Sequence, residues 1–292
     1  MIEIFAPAKI NVSLRVVGKR ADGYHLLHMV MVPLQFGDQL VIGEAPVACP
    51  PARNVWERDG ITLATDDDSV PLDDRHLCVR AANAIRVAAG RGSQKIWIHL
   101  TKHTPVGAGL GGGSSDAAAV LRGLGQLWQL EWSESQLAEI GVRLGADVPF
   151  FCWGRSALVE GIGEQVTPYA NFPKLWILLV NPRVHVATAE IFKRYAFHLT
   201  PQRPDVRTPP FFATQENVAA ILSNDLESVT IPEWPVIDVI KVRLRTAGAI
   251  GSLMSGSGPT VFGIFPSRQA RDHAATAFAA DPWWLCATES SD

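Results

Sequence analysis

The stretch PVGAGLGGGSSDAAA, residues 105–119, decides the fold of this chain. Five of the 24 glycines in the 292-residue chain lie in it. Residues 96–100 alternate aliphatic side chains with Trp and His, which is the period-2 pattern of a half-buried strand. Residues 117–128 repeat apolar side chains at helical spacing. The sequence therefore predicts a strand, a glycine loop and a helix in succession.

The glycine loop offers main-chain N–H groups to a ligand, because few side chains stand in their way. At the positive end of a helix dipole such a loop is an anion cradle, and it favours phosphate binding. A flexible tight turn is the alternative, although one or two glycines would serve a turn. The side chains expected to cap the helix are those of Ser114, Ser115 or Asp116.

Other known nucleotide-binding loops fit this segment poorly. Gly107, Gly109 and Gly112 satisfy the GxGxxG spacing of dinucleotide-binding proteins. That fingerprint also needs a second parallel strand with an acidic residue about 20 positions later, where this chain has an amphipathic helix. The GxxxxGK[ST] motif does not occur in the sequence, nor do the VAIK, HRD and DFG elements of protein kinases. Hydride transfer, the Walker-type loop and the protein kinases are thereby disfavoured.

The N-terminal segment APAKINVSLRVVGKRADGYHLL, residues 6–27, indicates a strand followed by a turn. Strand alternation places Lys9 and Asn11 on the same face. A lysine on a strand face is usually solvated, and this alternative stays open. The turn sequence RADG then presents Tyr24 and His25, either to a ligand or as the packed end of a hairpin.

Asp147 lies in the segment GADVPFF, after a predicted helix and beside very apolar residues. Such surroundings disfavour the charge of a carboxylate unless a cation compensates. The spacing leaves three roles open for this side chain: an Asx turn, a general base and a ligand of magnesium.

The rest of the chain indicates a mixed α+β architecture with a second lobe that begins near Gly163. Helices and strands alternate irregularly, which disfavours a doubly wound parallel sheet. Ser133 and Gln136 predict a capping box for a helix that ends at Gly145. Residues 44–75 are rich in Pro and Asp and predict either a loop or a hairpin. The further predicted elements are strands at 157–160, 175–180 and 260–265, helices at 236–245 and 268–279, a Pro-rich stretch at 201–210 and a second glycine loop at 254–259.

Composition argues against several classes of protein. The chain carries 26 Lys+Arg against 29 Asp+Glu and lacks the basic run that displaces counterions from nucleic acid. Its apolar stretches fall far short of the ~20 residues that cross a membrane, and its N-terminus lacks the pattern of a signal peptide. The four cysteines are widely spaced and include no CxxC pair, which indicates reduced thiols rather than a disulfide framework or a zinc site. We therefore expect a cytoplasmic protein whose partners include neither nucleic acid nor a membrane.

Three motifs, in order, resemble those of the GHMP kinases, which include galactokinase, homoserine kinase and mevalonate kinase. They are PAKINVSLRVVGKRADGYH at residues 7–25, PVGAGLGGGSSDAAA at 105–119 and MSGSGPTVFG at 254–263. The resemblance spans nearly the entire chain. It implies a two-lobed α+β fold. The N-terminal ATP-binding domain, residues 1–163, would be ribosomal protein S5 domain 2-like, and the C-terminal substrate-binding domain, residues 164–292, would be ferredoxin-like.

The resemblance also implies the chemistry. The first motif and LGADVPFF at residues 144–151 are similar to those of family members that use ATP to phosphorylate the 2-hydroxyl of a methylerythritol unit linked to cytidine diphosphate. That reaction belongs to the non-mevalonate route to isoprenoid precursors. By resemblance, Asp147 accepts the proton of the hydroxyl, while Lys9 keeps the carboxylate ionised and offsets charge on the phosphoryl group.

Two further sets of residues follow from the resemblance. Those implied to bind ATP are Lys102, Pro105, Val106, Gly107, Ala108, Gly109, Leu110, Gly111, Gly112, Gly113, Ser114 and Ser115. Those implied to bind the substrate are Asn11, Tyr24, His25, Thr188 and Phe192. Within the second set, His25 would bond the edge of the cytosine base and Phe192 would close the stack on its face.

Alternatives remain open for function and for single residues. The chain could phosphorylate another small alcohol, such as a mevalonate or homoserine derivative, or bind nucleotide as a regulator without catalysis. Lys102 could be a solvated lysine, and Phe192 a core residue. Mg²⁺ is expected with ATP, yet no metal ligand is assigned, and the negative charge of Asp116 at the start of the phosphate-binding helix is unexplained. We expect a monomer or a weak homodimer.

Overall fold

The structure, a computed structural model, describes residues 1–44, 52–195 and 212–291. The chain divides into two compact units, each assembled from separate stretches. Unit 1 comprises residues 1–8, 36–106 and 111–154; unit 2 comprises residues 9–35, 107–110 and the described residues from 155 onward. The division into domains 1–163 and 164–292 stays a prediction, as does the Pro-rich stretch 201–210, which lies outside the described residues.

Unit 1 contains four helices and the strands that pack beneath them. Two long strands, β1 and β2, contribute residues to both units. The elements are β1 (Ile2–Lys19), β2 (His25–Gly43), β3 (Asn54–Arg58), β4 (Ile61–Thr65), α1 (Leu77–Ala88), β5 (Ile96–Thr101), α2 (Gly112–Leu127), α3 (Glu134–Gly141) and α4 (Val148–Trp153).

The sheet of unit 1 has β4 and β5 at its centre. β3 and β4 form an antiparallel hairpin, β4 pairs parallel with β5, and β5 pairs antiparallel with the last residues of β2. The hairpin turn, Asp59-Gly60, has positive φ at both residues, as a type I′ turn requires. Within the described residues, the hairpin alternative for segment 44–75 is therefore confirmed. The strand β5 and the helix α2 confirm the predicted elements on either side of the glycine loop.

Unit 2 contains the remaining elements, which include a second sheet. They are β6 (Ala157–Gly161), β7 (Gln165–Pro168), β8 (Trp176–Asn181), α5 (Thr188–Tyr195), α6 (Gln215–Ala220), β9 (Ser223–Asn224), α7 (Glu227–Glu233), α8 (Val236–Thr246), β10 (Gly251–Met254), β11 (Val261–Phe265), α9 (Arg268–Thr276) and β12 (Trp284–Glu289). The predicted strands at 157–160, 175–180 and 260–265 and the predicted helices at 236–245 and 268–279 are confirmed to within a few residues.

The second sheet has the antiparallel order β10-β11-β8-β12. Helices α8 and α9 pack on it, and its central strands are buried except for the half-buried Trp176 at the start of β8. Elsewhere in unit 2, the first half of β2 pairs with β6, and β1 pairs with β9 through Ser13 and Leu14. β1 is buried from Ala6 to Leu14, which fixes the side chains that the first motif contributes.

Two boundaries differ from the predictions. Helix α3 has the predicted capping box between Ser133 and Gln136, but it ends at Gly141 rather than at Gly145. Helix α2 is capped by the main chain of Gly111, and no side chain caps it. Because Gly111 enters the helix in the left-handed conformation, Ser114, Ser115 and Asp116 already lie inside the first turns, so the prediction that one of them is the cap was wrong.

Candidate active site

The amino end of α2 is the phosphate-binding candidate in unit 1. Gly111 has φ 72°, and the N–H of Ser115 makes the first bond of the helix, to the carbonyl of Gly111. The N–H groups of residues 112–114 precede that bond and have no acceptor inside the helix. N–H groups that point out of the positive end of a 16-residue helix suit a phosphate group.

A buried ionic cluster lies directly beneath this helix end. The ammonium of Lys102 contacts the carboxylates of Asp38 and Asp116, the latter at 2.8 Å. The second oxygen of Asp38 accepts the main-chain N–H groups of His103 and Thr104 at 2.6 and 2.7 Å. Asp38 is fully buried, and the side chain of Lys102 is 4% exposed. The alternative of a solvated Lys102 is therefore wrong.

The cluster contains one ammonium group and two carboxyl groups. Burial raises the pKa of Asp116 to about 8; Lys102 opposes the rise and Asp38 adds to it. Burial by itself would lower the pKa of Lys102, but the two carboxylates outweigh it and raise the pKa. Lys102 thus keeps its proton, and the raised pKa leaves Asp116 largely neutral near pH 7. This resolves part of the problem that its negative charge posed.

A pocket of 310 Å³ opens beside Lys102 in unit 1. Three successive aspartates after β4 line one side of it, and the end of β5 lines the other. Asp66 accepts the N–H of Arg53, and Asp68 accepts the side-chain amide of Asn54, so the segment is held in place. This pocket was not predicted from the sequence, although three consecutive acids after a strand are a recognisable signal. The lining residues are Asp66, Asp67, Asp68, Leu100, Thr101 and Lys102.

Asp147, the predicted base, is also in unit 1, at the start of α4. It is the N-cap residue of that helix and is half-buried. The residues that follow it, Val148, Pro149 and Phe150, are buried. Their packing anchors the main chain that carries this carboxylate.

Lys9, the predicted partner of the base, lies in unit 2. It is 3% exposed, and its ammonium donates to Asn11 Oδ1 at 2.6 Å and to the carbonyl of Gly109 at 3.1 Å. The main-chain N–H of Lys9 donates to the carbonyl of Leu110. Lys9 and Asn11 lie on one strand face as predicted, and the alternative of a solvated lysine is wrong.

The first half of the glycine loop, residues 107–110, packs in unit 2 against the second glycine loop. A Cβ atom on Gly109 would stand 2.3 Å from the carbonyl oxygen of Ser255 and 2.9 Å from that of Gly258. The carbonyl of Gly109 also accepts the hydroxyl of Ser255 at 2.9 Å. Only glycine fits this position, because the two main chains touch and φ is 75°.

The predicted substrate residues at the β1–β2 turn also lie in unit 2. Tyr24 is 60% exposed, and His25 is half-buried with its ring centroid 5.4 Å from that of Phe192. His25 Nε2 is buried and has no hydrogen-bond partner among the described residues. Burial, with a smaller contribution from Lys19, lowers the pKa of His25, so its ring is neutral at pH 7. Phe192 is half-buried rather than a core residue.

Thr188 begins α5, the helix that carries Phe192. Its hydroxyl lies 2.8 Å from the hydroxyl of Ser257, which is buried in the second glycine loop. This contact ties the start of α5 to that loop. Ser257 was absent from the predicted set, because nothing in the local sequence pairs it with a residue 69 positions earlier.

The structure places the predicted residues in two groups. Unit 1 holds Lys102, Pro105, Val106, Gly111, Gly112, Gly113, Ser114, Ser115 and Asp147. Unit 2 holds Lys9, Asn11, Tyr24, His25, Gly107, Ala108, Gly109, Leu110, Thr188 and Phe192. Within unit 2 it brings Lys9, Asn11 and Gly109 together, and His25 with Phe192. Their roles in binding and catalysis stay predictions.

Known proteins resemble this chain over nearly its whole length. The 4-diphosphocytidyl-2-C-methyl-D-erythritol kinase of Geobacter sulfurreducens is 46% identical, with 98% of this chain and 97% of that protein covered. The protein of the same name from Geobacillus kaustophilus is 41% identical, with 90% and 88% covered. The models of the GHMP kinase N-terminal and C-terminal domains match residues 76–155 and 213–282. The chain belongs to the 4-diphosphocytidyl-2-C-methyl-D-erythritol kinase family of the GHMP kinases.

Solved structures agree with this family. A crystal structure of 4-(cytidine 5'-diphospho)-2C-methyl-D-erythritol kinase is similar over 100% of both chains, with a TM-score of 0.75 and 32% identity. The homoserine kinase of Cytophaga hutchinsonii matches with a TM-score of 0.68 at 20% identity, covering 99% of this chain and 94% of that one. The Methanococcus jannaschii mevalonate kinase matches with a TM-score of 0.69 at 12% identity, covering 100% and 98%. The homoserine kinase and the mevalonate kinase share the fold of this chain. Together with the two domain matches, these similarities confirm the GHMP kinase fold.

Proposed function

We propose that this GHMP kinase transfers the terminal phosphoryl group of ATP to the 2-hydroxyl of 4-diphosphocytidyl-2-C-methyl-D-erythritol. The observation that carries the proposal is the 46% identity with a kinase of that name over 98% of the chain. The glycine loop and the open amino end of α2 supply the donor site that such a transfer needs. The alternative of a mevalonate or homoserine kinase is disfavoured, because those enzymes are only 12% and 20% identical to this chain.

In this mechanism the protein supplies mainly position and charge. Asp147 accepts the proton of the 2-hydroxyl, and the oxygen of that hydroxyl forms a bond to the terminal phosphorus of ATP. The bond from that phosphorus to the bridging oxygen breaks, and ADP leaves. Lys9, which Asn11 and the carbonyl of Gly109 hold in one place, offsets negative charge on the transferred group. The N–H groups at the start of α2 do the same for the ATP phosphates.

The donor nucleotide would lie in unit 1. Its phosphates would bind at the amino end of α2, and its nucleoside would enter the pocket beside Lys102, whose 310 Å³ is the size of a small-ligand site. Mg²⁺, when bound with ATP, would neutralise part of the phosphate charge. Among the residues that the structure describes, no three His, Cys, Asp or Glu side chains could hold a metal ion together. We therefore assign no protein ligand to Mg²⁺.

The cytidine group would lie in unit 2, between aromatic side chains. His25 and Phe192 form a tilted pair of rings, and the unpartnered Nε2 of His25 offers a hydrogen bond to the edge of a base. A neutral imidazole can accept from the exocyclic amine of cytosine or donate to its ring nitrogen. A ligand that does not bond to Nε2 of His25 would leave this buried nitrogen without a partner and would bind more weakly. The rings of His25 and Phe192 would therefore favour cytosine.

His25→Phe is expected to raise the KM for the substrate about tenfold or more, because it removes a hydrogen bond to a buried group and keeps a ring against Phe192. The turnover number should stay close to that of the native enzyme. His273→Phe, which alters an exposed histidine of α9, is the matched control and should leave KM unchanged. Equal KM values for the two variants would contradict the role of His25.

The pH dependence of KM gives a second readout on His25. Because its pKa is lowered, the ring stays neutral below the usual value of about 6.5. The native KM should therefore be flat from about pH 8 down to that value and rise only in more acidic solution, whereas the KM of His25→Phe should lack this rise. The measurement is initial-rate kinetics at saturating ATP.

The proposed reaction is tested by following ADP release with purified enzyme, ATP and candidate alcohols. We expect turnover with 4-diphosphocytidyl-2-C-methyl-D-erythritol, competition by added cytidine nucleotides, and no turnover with mevalonate or homoserine. Activity on mevalonate alone would overturn the choice of substrate. ATP binding without turnover on any alcohol would favour a regulator that has lost catalysis.

The proposal includes a cytoplasmic location, where ATP and the cytidine-linked substrate are available. Cys78, Cys152 and Cys286 are free thiols, as a reducing compartment allows. Within residues 1–44, 52–195 and 212–291, none of the helices is both long and apolar enough to span a bilayer.

A further inference from the structure

Asp116 lies in the first turns of the helix whose amino end would receive phosphates, and it is surrounded by titratable groups. Lys102 stands at the end of β5, Asp38 lies in β2, and His76 and Cys78 lie at the start of α1. Burial first, and then Lys102, lowers the pKa of His76 to about 4, and burial keeps the pKa of Cys78 well above its ordinary value. Both are therefore neutral, and the charged candidates are one ammonium and two carboxylates.

The two carboxylates have different surroundings. Both oxygens of Asp38 are bonded: one accepts Lys102, and the other accepts two main-chain N–H groups. Asp116 accepts Lys102 through Oδ2, but its Oδ1 is buried and has no hydrogen-bond partner in the described part of the chain. A buried carboxylate oxygen without a partner is costly when charged and much less so when protonated. Geometry thus makes Asp116 the group that holds a proton.

Phosphates bound at the same helix end would further favour the neutral form of Asp116. The ammonium would stand 3.2 Å from a Cβ atom on Gly112, so the cluster lies directly against the first residue of the helix. With both carboxylates ionised, the cluster has a net charge of −1 and repels an anion at that end. With Asp116 neutral, the cluster has no net charge and the attraction of the N–H groups is unopposed.

We propose that Asp116 holds a proton beneath the ATP site. The amino end of α2 binds the ATP phosphates only while this carboxyl group is neutral. The inference rests on the proposed function, since it takes ATP as the ligand of α2. It adds that ATP binding and proton binding at Asp116 favour each other. ATP therefore binds with uptake of protons wherever Asp116 is partly ionised in the free enzyme.

The sign of the pH effect follows from the raised pKa of about 8. Below that value Asp116 is already neutral and affinity for ATP is constant. Above it the carboxylate ionises, and affinity falls by up to about tenfold for each pH unit, the limit for one linked proton. ATP is itself fully ionised in this alkaline range, so its own protonation does not produce the fall.

The experiment is calorimetric titration of the full chain with ATP, without an acceptor alcohol, from about pH 7 to about pH 9.5, in buffers of different ionisation enthalpy. For the native chain we expect constant affinity up to about pH 8, a fall above it, and net proton uptake in that range. Asp116→Asn, which keeps the shape of the neutral acid, should bind ATP with pH-independent affinity and without this uptake.

Two further variants separate a proton at Asp116 from a general effect of charge. Glu134→Gln removes an exposed acid from the first turn of α3 and should keep the native profile. Asp38→Asn leaves Lys102 with a single carboxylate, Asp116. Because Asp38 helps to raise the pKa of Asp116, this variant should lower that pKa, and the affinity for ATP should begin to fall at a lower pH than in the native chain. A purely structural role of Asp116 would not produce this shift.

The outcomes distinguish the two proposals. Failure of the native chain to bind ATP at any pH would overturn the proposed function and this inference with it. ATP binding with unchanged affinity over the whole range would overturn the inference alone. So would a fall that persists unaltered in Asp116→Asn, because another group would then be responsible.

Discussion

Asp147→Asn is expected to lower the turnover number about 10³-fold, because a general base contributes on that scale to a reaction that begins with loss of a proton. Asparagine has nearly the same shape as aspartate, and the start of α4 does not rest on a side-chain cap bond from residue 147, so this helix should keep its structure. The measurement is ADP release under saturating ATP and substrate, together with the affinity for ATP from calorimetry. The affinity for ATP should change less than threefold, which corresponds to about 0.6 kcal/mol or less of binding free energy.

The matched control is Asp238→Asn, at an exposed acid in the first turn of α8 in unit 2. It makes the same chemical change at the start of another helix, and it should leave turnover at the native level. If Asp147→Asn kept turnover within twofold of the native enzyme, Asp147 would not be the base, and the carboxylate would be a structural feature of α4.

Gly109→Ala is expected to destabilise the protein by about 3 kcal/mol, the sum of two effects of similar size. Alanine disfavours the left-handed φ of 75°, and its Cβ would lie 2.3 Å from the carbonyl oxygen of Ser255, where neither main chain can yield freely. The thermal midpoint of unfolding should fall, and the KM for ATP should rise as the glycine loop shifts.

Gly107→Ala is the control for the backbone effect alone. Gly107 has φ 67°, and a Cβ atom on it would meet nothing within 4 Å. It should therefore cost only about 1–2 kcal/mol, the penalty of the left-handed conformation. Equal losses of stability for the two variants would show that the contact between the glycine loops contributes nothing.

Local patterns predicted the secondary structure near the site well. The alternation before the glycine loop and the helical spacing after it correspond to β5 and α2, and the capping box at Ser133 starts α3. The cap of α2 was mispredicted, because Ser and Asp are common caps and the left-handed Gly111 has no competing sequence signature. His99 alternates as a surface residue would, but it is only 5% exposed, and its ring stacks on that of Trp97 at 5.9 Å.

Most of the candidate site residues that the sequence predicted lie in recognisable motifs, and the sequence did not indicate the contacts that lie outside those motifs. Lys9 and the two glycine loops belong to the three motifs, and Asp147 belongs to the segment LGADVPFF at residues 144–151. Asp38 belongs to none, yet it accepts the ammonium of a lysine 64 positions away and two N–H groups beside it. The pairing of Thr188 with Ser257 is likewise a contact between distant segments.

The sequence by itself determined the elements, the family and the chemical types at the site, because periodicity, turn residues and motifs act over a few positions of chain. Only the tertiary structure decided the state of those groups. Lys102 could be solvated or buried until Asp38 and Asp116 were found on either side of it. The proton on Asp116 depends on the same three residues, since charge in a buried cluster is set by distance and solvent exclusion.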